Sequence, residues 1–313
     1  MERWRREAAL GVVLALLAGA VAIAAPEFYD AANLRNWLVD TLPLLVASVG
    51  MTFLMLAGQI DISVGAQFAV CGVLMGLLAR AGLPPVLFIP VTLAAGGAIG
   101  ALNGLLVARL RVPAIIATLA GMAVLRGTLR WLSGGAWVAD LPPSFPWFGL
   151  SQDAGQAVFM AAAALLFLLA LLFLRWTSWG RAVLATGGDA EAARLAGIRP
   201  EGVVFGVFVA MGAFVAAAAL LSFPRYPAVE IEAGIGFELK VIACVIVGGV
   251  SIQGGRGSLV GTLLGVALLS VIGTMLVFLR VDAAWERAIQ GGIILAAVTL
   301  DSLLWARRSG ARA

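Results

Sequence analysis

Residues 180–198, GRAVLATGGDAEAARLAGI, form a short water-soluble stretch between long apolar runs. Asp189 is a favourable N-cap residue and Gly197 a favourable helix stop, and the residues between them are mostly alanine and leucine, which are strong helix formers. The pattern predicts a helix of about two turns, roughly 10 Å long. A helix this short is marginal in water, so either the membrane part of the chain or a soluble partner must pack on it.

The composition of the chain is that of a helical membrane protein. Of its 313 residues, 62% are hydrophobic and 12% are charged, whereas soluble domains carry about 25% charged residues. We therefore predict an all-α, polytopic inner-membrane protein with one transmembrane domain at residues 1–313 and a cytoplasmic loop at about 176–201. Apolar runs of about 20 residues predict about ten spans, at residues 8–25, 37–57, 62–79, 85–108, 113–132, 157–174, 203–223, 239–249, 259–279 and 285–305.

Basic residues predict the orientation of these spans. If the N-terminus lies inside the cell, the arginine-rich 176–201 loop and both chain ends are cytoplasmic, as the positive-inside rule requires. Residues 133–156 contain no Lys or Arg, carry Asp140 and Asp153, and belong outside. The first apolar run could be a secretory signal, but the many runs after it favour a retained span. We expect both termini in the cytoplasm.

Several classes of function are disfavoured by what the sequence lacks. Histidine is absent, which removes His-based acid–base chemistry and His metal ligands. Cys71 and Cys244 lie in apolar runs and are expected to be buried. No loop is long enough for a nucleotide-binding domain, and GGRGS at 254–258 lacks the ending of a phosphate loop. We expect no catalytic residue, metal, cofactor or nucleic-acid partner.

Asp61 is the most informative polar residue within the apolar pattern. It stands in GQIDISVG at 58–65, where burying its charge would cost several kcal/mol unless it is capped, paired or next to water. One interpretation is a broken helix whose Asp61, Ser63 and Gly65 line a translocation pathway. The other is a structural cap for the third span, formed by Asp61 or Ser63.

A weak internal repeat relates this segment to a second glycine-rich one. GQIDISVG at 58–65 aligns with GGVSIQGG at 248–255, which contains Gly254 and Gly255, and each is followed by a small-xxx-small pair. Glycine-interrupted segments in corresponding positions are typical of a pathway between repeats, although convergent glycine use explains the similarity nearly as well.

Other polar and glycine positions in the apolar runs have simpler interpretations. Asn103 and Thr118, in the fourth and fifth spans, either line the pathway or bond neighbouring helices. The glycines of the fourth span, at 96, 97, 100 and 104, indicate close helix packing. Glu238 and Lys240 are expected at the outer interface.

Several short motifs follow one another along the chain. They are GQIDISVG at 58–65, NG at 103–104, VPAIIATL at 112–119, RG at 126–127, SGG at 133–135, and residues 180–198 and 248–265. Together they resemble the inner-membrane permease of ATP-binding-cassette sugar importers, a group that includes ribose-, rhamnose- and autoinducer-2-type importers and is related to branched-chain amino-acid permeases. The resemblance covers about residues 33–301, and residues 134–142 and 278–281 are most similar to the autoinducer-2 and rhamnose branch.

The resemblance implies a transport subunit of a bacterial inner membrane without its own ATPase site. Residues 189–197 would be a coupling helix that docks on an ATP-binding subunit, with Gly187 and Gly188 as its flexible approach and Ala192 and Ala193 on the docking surface. A periplasmic or lipid-anchored sugar-binding protein, a second permease subunit, identical or different, and membrane lipid would be the other partners. Gln59 and Asp189 depart from the residues usual in the family at these positions.

Two other classes of function compete with this interpretation. An ion-coupled secondary transporter of a small polar solute needs acidic groups or sodium-binding carbonyls in the membrane, and only Asp61 qualifies. A membrane-embedded enzyme has no histidine and no paired acids at helical spacing within the spans.

Overall fold

The computed structural model describes residues 2–278 and positions 285, 288, 289, 291, 292, 295 and 299. The described part is α-helical, with short 3-10 helices at Pro26–Tyr29, Pro146–Gly149 and Phe223–Arg225. Its α-helices, in chain order, are α1 (Glu2–Ala24), α2 (Ala31–Leu56), α3 (Val64–Arg80), α4 (Pro85–Ala108), α5 (Ala114–Ser133), α6 (Gln152–Trp176), α7 (Ser178–Gly188), α8 (Ala190–Leu195), α9 (Pro200–Ser222), α10 (Phe237–Val247) and α11 (Leu259–Phe278).

The helices match the predicted spans only in part. In the described part, α2, α4, α5, α6, α9 and α11 are long and apolar enough to cross a membrane, whereas α3 and Glu7–Ile23 of α1 are apolar but shorter. Helix α10, at the eighth predicted span, has 11 residues and is about 16 Å long, too short to cross a layer of about 30 Å. The tenth predicted span falls outside the continuously described residues. The number of about ten spans stays a prediction.

Turn and cap residues set several helix boundaries. Pro85 and Pro200 occupy the first positions of α4 and α9, where the missing N–H of proline costs nothing. Ser151 begins α6, because its side chain accepts a hydrogen bond from the Ala154 amide. Helix α5 ends at Gly134, whose φ of 60° is left-handed. These local signals set where the long helices begin and end.

Glycines allow α4 and α9 to cross in direct backbone contact. A Cβ atom at Gly96 would collide with the carbonyl group of Gly212, and one at Gly100 with the carbonyl group of Phe208. The hydrophobic effect does not drive helices together within lipid, because lipid tails are as apolar as the side chains. Close packing of small residues such as these holds helices together in the membrane instead. The predicted packing role of the glycine run in α4 is confirmed at Gly96, Gly100 and Gly104 but not at Gly97.

The two small-xxx-small pairs of the internal repeat have different surroundings. In α11, a Cβ atom at Gly261 or Gly265 would collide with carbonyl groups of the α10 region. In α3, a Cβ atom at Gly72 would collide instead with the ring of Phe223. The similarity of spacing therefore does not reflect one shared helix contact.

The loops separate into two ends of the bundle. Val138 pairs with Val229 in an isolated antiparallel bridge at one end, where the rings of Phe88 and Phe145 also meet at 6.3 Å. At the other end, Gly58, Gly187 and Gly254 lie against one another. We call this the junction end. It contains the connections at residues 57–63, 109–113, 177–199 and 248–258, which are the loops that alternating spans would place on the cytoplasmic side.

The α4–α9 crossing can be tested with one substitution at two adjacent glycines. We expect Gly96→Ala to lower the free energy of unfolding by about 1–3 kcal/mol, since the new methyl group forces backbone apart in a packed contact. Gly97→Ala is the matched control, because the nearest heavy atom to a Cβ there is 4.0 Å away. Thermal unfolding of both variants in detergent measures the difference, and equal unfolding temperatures would contradict the packing role.

Candidate functional site

A buried polar cluster surrounds Asp61 between the end of α2 and the start of α3. The Asp61 side chain is 0% exposed. Its Oδ1 accepts hydrogen bonds from the Ser63 amide at 2.8 Å and the Ser63 hydroxyl at 2.6 Å. Its Oδ2 accepts from Gln67 Nε2 at 2.8 Å and from Asn103 Nδ2 at 3.3 Å. Four donors therefore satisfy a carboxylate that water does not reach, as burial of this group requires.

The cluster fastens the first turn of α3 to α4 and α5. Asn103 Nδ2, from α4, also donates to the Ser63 hydroxyl at 2.9 Å. Thr118, from α5, accepts a hydrogen bond from the Ile62 amide at 3.1 Å and donates to the Ala114 carbonyl at 2.9 Å. Asp61, Ser63 and Asn103 thus belong to one hydrogen-bonded group, and Thr118 is attached to it through the Ile62 backbone.

The predicted helix cap is wrong in its detail. Ser63 occupies the N-cap position of α3, but no side chain there bonds the first helical amides. Asp61 instead bonds Ser63 itself, one residue before the helix. Gln67, which the sequence did not single out, lies one turn after Ser63 and donates to its hydroxyl at 2.8 Å. The Ser63–Gln67 spacing of four residues was the available signal, because such side chains meet on one helix face.

A second group of residues, which we call the glycine junction, lies where the end of α2, the end of α7 and the segment before α11 meet. It consists of Gly58, Gly187, Gly254, Gly255 and the carbonyl group of Leu56. The Gly255 amide donates to the Leu56 carbonyl at 2.9 Å, and a Cβ atom at Gly187 would collide with the same carbonyl. A Cβ atom at Gly254 would lie 2.9 Å from the Gly58 Cα. The two segments of the internal repeat therefore meet at the end of α7.

The predicted flexible approach to the coupling helix is wrong. Gly187 and Gly188 are the last residues of α7, and Gly187 is fitted against backbone rather than free to move. Its missing side chain serves close contact, not conformational freedom.

Helix α8 has the cap and the stop that the sequence predicts. The Asp189 carboxylate accepts hydrogen bonds from the amides of Glu191 at 2.9 Å and Ala192 at 3.0 Å. Gly197 follows the helix with a φ of 83°, the left-handed conformation that glycine adopts after a helix end.

An arginine ties α8 to the first turn of α9. Arg194 pairs with Glu191 and with Glu201, each at 2.6 Å, and hydrogen bonding to Glu201 raises the pKa of its guanidinium group. Because these groups are exposed, the pairs position α8 more than they stabilise the chain.

The exposed surface of α8 differs from the expected one. Ala193 is 3% exposed and faces the chain itself, whereas Leu195 is 85% exposed and Ala192 is also exposed. Of the two alanines assigned to docking, only Ala192 is on the outer surface. Leu195 is the largest apolar side chain on this outer surface. The small-residue surface predicted from the sequence included Leu195, but the sequence alone did not show which of its members face outward.

A further charged group lies within the bundle. Arg126, in the middle of α5, donates from Nη1 to the carbonyl oxygens of Ile231 at 3.2 Å and Ala233 at 2.9 Å. Charged side chains within a membrane are costly and commonly mark functional positions. The sequence gave Arg126 only as part of a motif, since its partners are backbone carbonyls far along the chain.

The segment before α10 enters the bundle between α3 and α5. A Cβ atom at Gly65, in the first turn of α3, would collide with the Gly234 carbonyl and the Glu238 carboxylate. The predicted position of Glu238 at the outer interface is therefore wrong, because Gly65 and Gly234 allow the chain to approach α3 deep in the bundle.

Among the described residues, no group of three or more His, Cys, Asp or Glu side chains could hold a metal ion.

Long apolar helices, a buried polar cluster and a short capped helix outside the bundle define a multi-pass membrane permease. The chain belongs to the family of branched-chain amino acid transport system / permease components, whose model matches residues 33–298. This finding confirms the resemblance to importer permeases.

Individual relatives cover nearly the whole chain. The chain is 33% identical to the ribose import permease protein RbsC of Escherichia coli strain K12, over 96% of this chain and 94% of that protein. It is 34% identical to the autoinducer 2 import system permease protein LsrC of Escherichia coli O9:H4 strain HS, over 93% and 87% of the two chains. These identities do not separate the two branches. No solved structure matches the chain significantly.

The Asp61 cluster predicts a stability effect. We expect Asp61→Ala to destabilise the protein by about 1–3 kcal/mol for each buried donor left without a partner. Asp61→Asn should destabilise the protein less than Asp61→Ala, since asparagine keeps one acceptor oxygen. It should still be less stable than the wild type, because its amide donor would face the donors of Gln67 or Asn103. Thermal unfolding in detergent is the measurement.

The control for this prediction is Asp153→Ala, because that side chain is 77% exposed. Unfolding of Asp61→Ala at the wild-type temperature would contradict the structural role. An Asp61→Asn variant that unfolds normally but does not transport would instead support a pathway role.

Proposed function

We propose that this chain is the membrane subunit of an ATP-driven importer of a monosaccharide or sugar-like molecule, of the ribose, rhamnose or autoinducer-2 type. Similarity to ribose and autoinducer 2 import permeases over more than nine-tenths of the chain supports this function. The observation that carries it is α8, a capped helix outside the bundle that directly follows α7, whose last residues lie in the glycine junction. The subunit needs no cofactor of its own, because a separate subunit hydrolyses ATP.

Coupling starts at the exposed face of α8. Leu195, with Ala192 beside it, contacts the ATP-binding subunit, while the buried Ala193 and the Arg194–Glu201 pair keep α8 fixed to the bundle. Movement of the ATP-binding subunit thus pulls on α8, on the end of α7 and on α9 together.

The glycine junction passes this movement to the pathway helices. Gly187, at the end of α7, contacts both the Leu56 carbonyl at the end of α2 and the segment 254–255 before α11. We assign the candidate pathway to the segments beyond this contact, at Asp61, Ser63, Gly65, Asn103, Thr118, Gly254 and Gly255. In this arrangement Asp61 positions the start of α3, and Gly65 and Arg126 face the segment that enters before α10.

The complete importer requires further partners. We propose one transmembrane domain over residues 1–313, about ten spans including short glycine-broken helices, and both termini in the bacterial cytoplasm. A second permease subunit completes the pathway, membrane lipid surrounds it, and a periplasmic or lipid-anchored binding protein delivers the sugar. Asp61, the acidic residue that the sequence offered for an ion-coupled transporter, does not support that alternative, since four hydrogen bonds occupy its carboxylate and its side chain is 0% exposed.

The docking face can be tested at Leu195. We expect Leu195→Asp to reduce co-purification of the ATP-binding subunit about tenfold or more, because burying an unpaired carboxylate in the interface costs more than the ~1.4 kcal/mol that a tenfold change in affinity requires. Leu195→Met keeps the apolar contact and is the control. Ala193→Asp should instead lower thermal stability, because that side chain is buried. Normal yield of the complex with Leu195→Asp would refute this docking face.

The coupling role of the glycine junction can be tested with two neighbouring alanine substitutions. Gly187→Ala places a methyl group against the Leu56 carbonyl, whereas a Cβ atom at Gly188 has no heavy atom within 4 Å. We expect Gly187→Ala to reduce ATP-driven sugar uptake in proteoliposomes while ATP-binding subunit association is retained. Gly188→Ala should behave like the wild type. Equal uptake by the two variants would contradict coupling through Gly187.

A further inference from the structure

A groove at the junction end is lined by basic residues that have no role in the coupling and transport proposed above. It has a volume of about 480 Å³ and lies between the end of α4 and the beginning of α9. Arg109, Arg111 and Arg199 line it, together with the apolar atoms of Gly202 and Phe205. The volume is in the range of about 300–1,000 Å³ that small-molecule sites occupy.

The described residues balance the positive charges of the groove only in part. In residues 2–278, no ion pair involves Arg109, Arg111 or Arg199. Glu201, the acidic residue that lines the groove, pairs with Arg194 at 2.6 Å and lies close enough to Arg111 to interact with its charge, which leaves one carboxylate against three guanidinium groups in the lining. Three guanidinium groups around one concave surface repel one another and attract an anion.

The turn that carries two of these arginines is held in an unfavourable conformation. Arg111 has a φ of 57°, a left-handed conformation that costs a residue with a side chain about 1–2 kcal/mol. Backbone hydrogen bonds from Leu110 to the Leu105 carbonyl at 3.2 Å and from Val112 to the Leu106 carbonyl at 3.1 Å hold the turn. Such strain clusters at binding sites.

Apolar side chains continue from the groove along the membrane-spanning part of the helices. Leu102 and Leu105 of α4 and Phe205 of α9 are exposed, and Gly104 brings the two helices together beside Phe205. Leu110, between Arg109 and Arg111, is 64% exposed. A soluble anion would use only the arginines, and a soluble protein does not reach side chains within the hydrocarbon layer.

We propose that this groove binds an anionic phospholipid. Its phosphate lies among Arg109, Arg111 and Arg199, and an acyl chain lies along Leu105 and Phe205. Basic pockets between membrane helices on the cytoplasmic side suit such headgroups. Because Glu201 also holds Arg194 of α8, the bound lipid lies next to the coupling helix.

The experiment is native mass spectrometry of the purified full chain with phosphatidylglycerol or phosphatidylcholine. We expect tighter binding of phosphatidylglycerol and a loss of about tenfold or more in Arg109→Gln/Arg199→Gln, since each basic residue near an anionic lipid contributes about fivefold. The control Arg175→Gln/Arg181→Gln removes two exposed charges from the same end and should retain binding. Arg109→Lys/Arg199→Lys keeps the charge and should bind more tightly than the glutamine variant.

Four results would overturn the proposal. Equal affinity for the two lipids would exclude a headgroup site, and equal losses in both glutamine variants would indicate general surface charge. Full competition by glycerol 3-phosphate would assign the groove to a soluble anion. Unchanged lipid binding with lost co-purification of the ATP-binding subunit in Arg109→Gln/Arg199→Gln would assign it to an acidic protein surface.

Discussion

Direct backbone contact at glycine is the constraint on which the rest of the structure depends. Apolar side chains gain nothing by leaving lipid for one another, so helices associate in the membrane through close packing and hydrogen bonds. Gly96 and Gly212 provide this contact between α4 and α9, and Gly187 provides it between α7 and the end of α2. The first contact builds the bundle, and the second fixes the external helix α8 to it. One physical device therefore serves both the fold and the proposed coupling.

The Asp61 cluster meets a different requirement, the cost of a buried charge. Its carboxylate could be hydrated, neutralised by a cation or saturated by neutral donors, and the chain uses the last solution. The donors come from two parts of the sequence, with Ser63 and Gln67 at the start of α3 and Asn103 in α4. Any movement of α3 away from α4 would leave donors or the carboxylate unsatisfied. The cluster therefore makes the start of α3 move with its neighbours rather than alone.

The sequence predicted features that depend on local chemistry and missed those that depend on distant contacts. The Asp189 cap, the Gly197 stop and the glycine packing of α4 follow from neighbouring residues and were predicted correctly. The positions of Ala193, Glu238 and Gly187 depend on which segment packs against each residue, and hydropathy carries no such information. Glu238 is a charged residue that follows a loop, and it was therefore predicted at the outer membrane–water interface. The close approach that Gly65 and Gly234 allow places it within the bundle instead. Arg126 could not be identified as a site residue from the sequence, because its hydrogen-bond acceptors are backbone carbonyl groups, which every residue has.

In the proposed coupling, the direct attachment of α8 to the bundle determines how movement is passed on. A flexible Gly187–Gly188 linker would let α8 follow the ATP-binding subunit while the membrane helices stayed still. In the structure these glycines end a continuous helix, and Arg194 and Glu201 hold α8 to α9 as well. A force on α8 therefore reaches α9 directly and reaches the ends of α2 and the segment before α11 through Gly187. Because both glycine-rich segments of the repeat meet at this point, one displacement of α8 would act on both at once, and the proposed coupling therefore needs only one external helix to shift two parts of the proposed pathway.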